Sequence, residues 1–386
     1  TDNKEVNLME KSKPFEQCIQ KTKIPYKLAK KNYLKSGKFP VISQEEILIS
    51  GFHNESSHVF KVSKPVVIFG DHTKVLKYID FDFVVGADGV KILLPNEKFN
   101  TKYFYYVLKA LMPKEEKGYA RHYKFLKELN IPICPTTEQH RIVAKLDDIF
   151  AEIDEAIKLT EKQAIGASAY GYRIIKTTLE ELSEKYGLST ISNVAVVQPD
   201  KKITFEKLNE DADISFMGMD GLGIEKKISK SDTNKKLSEV YKSYQYFEDN
   251  DVIFAKITPC FENGKLGIVK GLTNGIGFGS SEFVVLRAHA NFQPEFLYYC
   301  LLDETFRKEG SENMSGAVGH KRVTKEYFYN YNVPMPPLDV QQLTIKKFDK
   351  VWENIKKIIL SKRKKIEELA KLKSSILTQE LQTEVA

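Results

Sequence analysis

The chain has 386 residues, more than one ordinary hydrophobic core accommodates, so we expect two or more domains. Its hydrophobic content of 42% and charged content of 29% exclude a disordered chain and indicate a globular protein with charged helices. The net charge of +7 is compatible with nucleic-acid binding but is too small to demonstrate it.

The cysteines and the apolar residues indicate the cellular compartment of the protein. Cys18, Cys134, Cys260 and Cys300 lie far apart and form no CxxC pair, so neither a zinc ribbon nor a disulfide scaffold is predicted. No apolar run approaches the length of a membrane span, and residues 1–15 contain no signal-peptide core. We therefore expect a cytoplasmic protein with free thiols and no association with membranes.

In chain order, the first half predicts short strands, one buried helix and one long periodic helix. The strands are the β-branched and aromatic runs "FPVIS", "VVIFG" and "FDFVVGADGVKILLP". The segment "FNTKYFYYVL" (99–108) indicates a buried helix. At 130–150, "NIPICPTTEQHRIVAKLDDIF", prolines precede a helix for which Thr137 is a candidate N-cap, with Gln139 in an alternative capping box.

The second half repeats this order of elements. "VVIFGD" (66–71) matches "DVIFAK" (251–256), and "FNTKYFYYVL" matches "FQPEFLYYCL" (292–301). The proline-to-helix junction returns at 332–352 as "NVPMPPLDVQQLTIKKFDKVW". The offset between the copies grows from 185 to 193 to 202 residues, as insertions in surface loops would produce.

Each junction begins a helix whose hydrophobic residues are spaced alternately three and four apart. Such a seam packs lengthwise against another helix. We predict a helical strut formed by the seams and the glutamine near the start of each helix: Gln139, Val143, Leu146, Phe150, Ile153, Ile157, Gln341, Ile345, Phe348, Trp352, Ile355 and Ile359. Gly166 and Gly171 are expected to interrupt the first helix.

Two seams in one chain pack most simply on each other. The predicted fold class is α+β, with two repeated α/β domains separated by two long antiparallel helices that form a coiled-coil strut with pseudo-twofold symmetry. We predict the two α/β domains at residues 1–136 and 187–338. A central helical region follows the first at 137–186, and a C-terminal helical region follows the second at 339–386.

No established catalytic motif is present: there is no Walker A sequence and no H-E-x-x-H. A loose PD…ExK pattern at Asp200, Glu225 and Lys227 leaves open a self-contained Mg²⁺-dependent endonuclease. Triplets of the E-x-K type arise often by chance in a lysine- and glutamate-rich chain, and the first domain has no counterpart. A coiled-coil scaffold that binds only proteins is the other alternative.

Basic and polar loop residues at matching places in the two domains are the candidate DNA contacts. Lysine and arginine suit phosphate oxygens, while arginine, asparagine and histidine suit base edges. The candidate residues are Arg121, His122, Lys124, Lys256, Lys265, His320, Lys321 and Arg322. We predict no catalytic residue and no metal ligand.

The junction pattern Pro-x-Pro-Pro-Leu-x-x-Gln-x-x-Ile resembles that of the specificity subunits of type I restriction-modification systems. It stands here as "VPMPPLDVQQLTI" and, less perfectly, as "IPICPTTEQHRIV", where Cys134 and Thr136 depart from the usual Pro and Leu. "DVIFAKITPCFENGKLGIV" and "FLYYCL" also resemble the target-recognition domains of this family. The likeness covers essentially the whole chain.

This resemblance implies a non-catalytic DNA-specificity subunit of a bacterial defence system. Each α/β domain would be a target-recognition domain that reads one half of a bipartite, asymmetric double-stranded DNA site. The strut would set the spacing and dock two modification (methyltransferase) subunits, which restriction/translocase subunits join. S-adenosylmethionine, ATP and Mg²⁺ would bind those partners, with no cofactor on this chain, in the prokaryotic cytoplasm.

Overall fold

The computed structural model describes residues 12–87, 89–112, 121–231, 233–317 and 321–383. Its contacts divide the chain into two units. Unit 1 consists of the described residues within 1–160 and 364–386, and unit 2 of those within 161–363. Each unit therefore contains one sheet-rich domain and a segment from each of two long helices.

Unit 1 contains two small sheets and a strand pair. Its strands are β1 Lys13–Pro14, β2 Ile19–Gln20, β3 Lys27–Leu28, β4 Phe39–Ile42, β5 Gly51–His53, β6 Val59–Phe60, β7 Val66–Gly70, β8 Leu76–Ile79, β9 Phe83–Gly86, β10 Val90–Pro95 and β11 Asn130–Ile131. Its helices are α1 Phe15–Cys18, α2 Thr101–Leu111, α3 Tyr123–Lys127 and the first part of α4 Thr136–Tyr186. The first sheet has the order β2-β10-β7-β8, and the second has the order β3-β9-β4-β5 with β6 also on β9.

Unit 2 has a similar set of parts, and several of its connections differ in length from those of unit 1. Its strands are β12 Leu188–Thr190, β13 Ala195–Val197, β14 Asp213–Met217, β15 Ile228–Ser229, β16 Thr233–Lys236, β17 Gln245–Glu248, β18 Val252–Ala255, β19 Leu266–Val269, β20 Ile276–Gly279, β21 Phe283–Ala288, β22 Met314–Ser315, β23 Arg322–Val323 and β24 Asn332–Pro334. Its helices after α4 are α5 Ile191–Val194, α6 Ile203–Lys207, α7 Leu237–Val240, α8 Pro294–Leu302, α9 Glu304–Glu312, α10 Lys325–Asn330 and α11 Leu338–Thr383.

The two units repeat one topology. The order β2-β10-β7-β8 returns as β13-β21-β18-β19 with β15 added at the edge, and β5-β4-β9-β6 returns as β16-β14-β20-β17. The central pairs of the second sheets, β4 with β9 and β14 with β20, are both parallel. A strand pair closes each domain, β1 with β11 and β12 with β24. The internal repeat predicted from the sequence is therefore a repeat of the fold.

The matched strands "VVIFG" and "VIFA" are buried on both faces because each separates two hydrophobic layers. In β7, Val67 and Phe69 pack with α2, whereas Val66 and Ile68 belong to a second cluster on the opposite face. A strand turns successive side chains to opposite faces, so a continuous apolar run fits this position and an alternating one does not. β18 has the same arrangement in unit 2.

The two long helices run antiparallel in each unit. In unit 1, Lys145 contacts Glu380 at 2.7 Å and Asp154 contacts Lys373 at 2.6 Å. In unit 2, Lys362 donates to Gln163 at 2.6 Å and Lys347 donates to Thr178 at 3.1 Å. Partner numbers fall as residue numbers rise, which defines the direction. The predicted fold class of two repeated α/β domains with two long antiparallel helices is confirmed.

The predicted interruption of the first helix is wrong. α4 continues for 51 residues through both Gly166 and Gly171. Gly171 is instead a point of close approach, because a Cβ atom there would lie 2.4 Å from Cδ1 of Ile355. Gly166 is exposed, and a Cβ atom there would meet nothing within 4 Å. The two glycines therefore have different roles in the same helix.

The predicted seam residues lie mainly in the core. Leu146, Phe150 and Ile153 are buried in unit 1. Leu377 and Leu381 of α11 complete that cluster. In unit 2, the corresponding buried residues are Phe348, Trp352 and Ile355, which pack with Ile175, Leu179 and Leu182 of α4. The outer seam positions Val143, Ile157, Ile345 and Ile359 are half-buried.

A buried glutamine fixes the start of each long helix. The side chain of Gln139 accepts from the backbone N–H of Asn100 at 2.7 Å. Its amide also donates to the carbonyls of Lys98 and Cys134. Gln341 does the same in unit 2, accepting from Gln293 N–H at 2.8 Å and donating to the carbonyls of Asn291 and Pro336. Both glutamines are fully buried, so they act within this chain and are not available to a docking partner.

An aspartate two turns further along each helix binds the buried helix of the domain. Asp147 accepts hydrogen bonds from Tyr106 at 2.5 Å and Lys102 at 2.6 Å, both on α2. In unit 2, Asp349 accepts from Tyr299 of α8 and from Lys227. Burial and the neighbouring carboxylate raise the pKa of Tyr106 and Tyr299 well above the usual tyrosine value. Both tyrosines therefore stay protonated and donate to the carboxylate.

The two glycines of α4 provide a matched pair of substitutions. Gly166→Ala should raise the melting temperature by about 2–4 °C, because alanine favours the helix over glycine by about 1 kcal/mol. Gly171→Ala should give no such rise, because the added methyl group meets Ile355 and overpacking, at about 1–3 kcal/mol, offsets or exceeds the helix preference of alanine. Thermal unfolding followed by circular dichroism measures both. Equal stabilisation by the two substitutions would contradict the close approach at Gly171.

Adjacent tyrosines on α2 test the bond to Asp147. Tyr106→Phe should lower the free energy of unfolding by about 1.5–3 kcal/mol, because it removes a hydrogen bond to a charged acceptor. Tyr105→Phe is the control, since its hydroxyl only accepts a long 3.5 Å contact from Lys109 at the surface. Urea unfolding followed by far-ultraviolet circular dichroism measures the free energy of unfolding of each variant. Similar effects from the two changes would show that the Asp147 bond contributes little.

Candidate nucleic-acid interface

The candidate DNA contacts of unit 1 lie at the start of α3. Arg121 and Lys124 are exposed. The ammonium of Lys124 lies 5.3 Å from the ring centroid of Phe125, and its side chain remains accessible to a ligand. These two residues fit the predicted role of contacting phosphate or base edges, which stays a prediction.

His122 does not fit the predicted role. Its side chain is 4% exposed, and its ring stacks on Phe125 with the centroids 5.9 Å apart. Its backbone N–H donates to the carbonyl of Asp71 at 2.7 Å. Burial is the main cause that lowers the pKa of His122, which keeps the ring neutral. The ring is therefore enclosed by the chain and cannot reach a base edge as it stands.

In unit 2, Lys256 and Arg322 lie around one carboxylate. Arg322 donates to Glu282 through its Nε and Nη2 atoms at 2.7–3.1 Å, and Glu282 raises the pKa of Arg322. Lys256 is half-buried beside them, and its burial lowers the pKa of its ammonium. The backbone N–H of Thr258 donates to the carbonyl of Lys321, whose side chain is exposed. Lys256, Lys321 and Arg322 thus share one surface region.

The two remaining candidates are Lys265 and His320. Lys265 donates its ammonium to the carbonyl of Met219 at 3.0 Å, which ties the glycine-containing loop 218–223 to β19. The ammonium of Lys265 is therefore hydrogen-bonded within the domain and stabilises this loop. His320 lies outside the residues that the structure describes.

The three residues of the possible nuclease motif have separate partners. Asp200 accepts from the backbone N–H of Lys202 at 3.0 Å, Glu225 accepts from the hydroxyl of Tyr172 at 2.6 Å, and Lys227 pairs with Asp349. Within the described part of the chain, no three His, Cys, Asp or Glu residues converge as metal ligands would. The geometry therefore does not favour the endonuclease alternative.

A buried lysine shapes the loop between β4 and β5. Lys77 is 5% exposed and donates to the carbonyls of Ser43 at 2.9 Å and Ile47 at 2.6 Å. Burial lowers the pKa of its ammonium. Thr73 also donates to the carbonyl of Gln44 at 2.6 Å. This loop therefore has a defined conformation before any ligand binds.

Sequence reasoning missed a strongly basic segment of unit 1. Residues 21–38 contain seven lysines and no acidic residue, and all seven lysine side chains are exposed. The composition of the segment was the available signal. The repeat itself does not point to this segment, because the segment has no basic counterpart in the second copy.

Within the described ranges, no helix combines the length and the apolar composition that a membrane span requires.

The family model for the type I restriction modification DNA specificity domain matches residues 17–165 and 183–370. The first match begins in the sheet-rich domain of unit 1 and ends within α4. The second begins near the end of α4, covers the sheet-rich domain of unit 2 and ends within α11. The two matches therefore follow the repeat of the fold.

Two similar relatives are specificity subunits from Escherichia coli. The chain is 33% identical over 172 residues to the type I restriction enzyme EcoEI specificity subunit and 34% identical over 169 residues to that of EcoAI. Each alignment covers 44% of this chain and 28% of the relative. The chain thus matches less than a third of the length of each of these two relatives.

A solved structure shows a similar fold. It concerns complex assembly and conformational transition of the type I R-M system, and one of its chains aligns with a TM-score of 0.61 at 15% identity. The alignment covers 97% of this chain and 98% of that one. The family match covers far more than half of the sequence. The chain belongs to the type I restriction modification DNA specificity domain family.

Proposed function

We propose that this chain is the DNA-specificity subunit of a type I restriction-modification complex. The observation that carries the proposal is the repetition of one fold in two units whose exposed loops differ in length and charge. Two related readers with different surfaces suit a target made of two different half-sites in double-stranded DNA. Linking two such readers raises affinity through effective concentration without any new contact.

Partner docking must use surfaces that the chain leaves open. The predicted seam residues are largely buried against the chain itself, which favours a strut role for them. Exposed apolar side chains on the long helices remain available to methyltransferase subunits: Leu159, Ile165, Tyr170, Ile358, Leu360 and Leu372. Large exposed apolar side chains are typical of protein contact sites when they occur together. We propose that two modification subunits, and restriction/translocase subunits with them, dock on the long helices.

The proposed division of labour leaves the chemistry to the partners. S-adenosylmethionine, ATP and Mg²⁺ would be bound by the modification and restriction subunits, in a prokaryotic cytoplasm. The Tyr172–Glu225 and Lys227–Asp349 contacts support this assignment, because they engage the two best nuclease candidates in holding the domain to its helix.

Exchange of the second sheet-rich domain tests the proposal. Residues 187–331 would be replaced by the equivalent domain of a relative, with Gln341 and Asp349 retained so that the helix joint is unchanged. We expect the complex with methyltransferase subunits to methylate a site in which one half is new and the other is unchanged. Genome-wide mapping of methylated adenines in cells expressing each version measures this.

Two results would contradict the proposal. A change in both half-sites would refute independent reading by two domains. Cleavage of plasmid by the purified chain with Mg²⁺ alone would support the endonuclease alternative instead. The unexchanged chain, expressed with the same methyltransferase subunits, is the control.

A further inference from the structure

The segment from Lys21 to Lys38, which we call the basic segment, connects β2 with β4 in unit 1. It contains seven lysines in 18 residues and neither aspartate nor glutamate: Lys21, Lys23, Lys27, Lys30, Lys31, Lys35 and Lys38. Each lysine is exposed. Among the residues that the structure describes, Lys30 alone of the seven has an ion-pair partner, Glu45 at 2.5 Å. The other six lysines therefore have no ion-pair partner within the described part of the chain.

The basic segment is held in place along its length. β3 pairs with β9, and Leu34 and Phe52 exchange two backbone hydrogen bonds of 2.9 Å. The ring of Tyr26 stacks on that of His58 with the centroids 3.7 Å apart, and His58 is hydrogen-bonded to His53 at 2.9 Å. The lysines thus extend from an ordered surface of the second sheet. Fixed backbone positions lower the entropic cost of binding a ligand.

The equivalent segment of unit 2 has the opposite character. Residues 198–212 connect β13 with β14 and contain three lysines and four acidic residues. Lys201 donates to the carbonyl of Tyr241 at 2.5 Å, and Lys207 pairs with Glu248 at 2.5 Å. Two of the three lysines are therefore engaged within the unit. Two units with the same topology differ sharply in the charge of this connection.

Seven like charges in so short a segment repel each other unless an anion lies close by. A solvated protein surface normally mixes both signs, as the rest of this chain does with 52 basic and 52 acidic residues. The formal charge of the basic segment alone equals the net charge of +7 of the whole chain. Several unpaired lysines on an ordered surface suit a polymer of phosphates, because lysine binds phosphate as a point charge without reading sequence.

We propose that the basic segment is a sequence-independent binding site for the phosphate backbone of duplex DNA, and that unit 2 has no equivalent. The inference rests on the proposed function and adds an asymmetry to it. Unit 1 supplies the greater share of the electrostatic affinity and its salt dependence. Unit 2 depends more on direct contacts with its half-site. Specificity and affinity are thus distributed unequally between the two units.

The test uses the complex of the full chain with its methyltransferase subunits. Lys23, Lys31 and Lys35 are replaced together by glutamine, which removes three charges and keeps side chains of similar size. The matched control replaces Lys202, Lys226 and Lys242 of unit 2, three exposed lysines with no ion-pair partner in the described chain. Dissociation constants are measured by fluorescence anisotropy over a series of salt concentrations, for a duplex with the recognised site and for a scrambled duplex.

We expect the unit 1 variant to bind both duplexes more weakly by the same factor, on the order of tenfold or more. The slope of the logarithm of the binding constant against the logarithm of the salt concentration should fall in magnitude by about 2–3. Each lost phosphate contact accounts for about 0.9 of this change. The control should change the slope by less than 1. Thermal unfolding of each variant, compared with the unsubstituted chain, establishes that the exposed substitutions leave the fold intact.

The outcomes separate this inference from the proposed function. If the unsubstituted complex does not prefer the recognised duplex, the proposed function fails. If it does, but the unit 1 variant keeps the original slope, the basic segment is not a phosphate-binding site. Equal losses of slope in variant and control would overturn the asymmetry. A loss of affinity for the recognised duplex alone would mean that the lysines read bases, and it would also overturn the inference.

Discussion

A hydrogen bond from a buried tyrosine to a helix aspartate holds each sheet-rich domain on its long helix. Tyr106 and Asp147 form it in unit 1, and Tyr299 and Asp349 form it in unit 2. A charged acceptor makes the bond stronger than a neutral one, and partial burial reduces competition from water. In each case a lysine of the domain, Lys102 or Lys227, forms an ion pair that neutralises the charge of the carboxylate. The orientation of any DNA-reading loop within its unit depends on this joint.

Shared architecture and different surface chemistry are combined in the two units. Strand order, the parallel central pair and the helix joint all repeat, so the backbone of each domain presents loops in equivalent places. The charges on those loops do not repeat. Arg322 is paired with Glu282 in unit 2, whereas most lysines of the basic segment in unit 1 face solvent. The proposed recognition of two unlike half-sites would use this combination of a constant frame and variable surfaces.

Much of the frame could be predicted from the sequence, because it depends on local patterns. The apolar run "VVIFG" predicts a strand buried on both faces, and the three–four spacing after Gln139 and Gln341 predicts the long helices. Predictions that depend on tertiary contacts were less successful. The local pattern predicts a helix break at Gly171, whereas this glycine allows a close contact with Ile355. The basic neighbours of His122 predict an exposed ring, but its burial depends on packing with Phe125 that no local pattern reveals.

The buried glutamine at the start of each long helix bonds only to main-chain atoms. Gln139 contacts Asn100 N–H and two carbonyls, and Gln341 contacts Gln293 N–H and two carbonyls. None of these bonds depends on the side chain of the partner residue. The preceding segment can therefore diverge freely in sequence while the helix still starts at the same place. Such a joint would allow one sheet-rich domain to be exchanged for another at the helix start while the long helix itself stays unchanged.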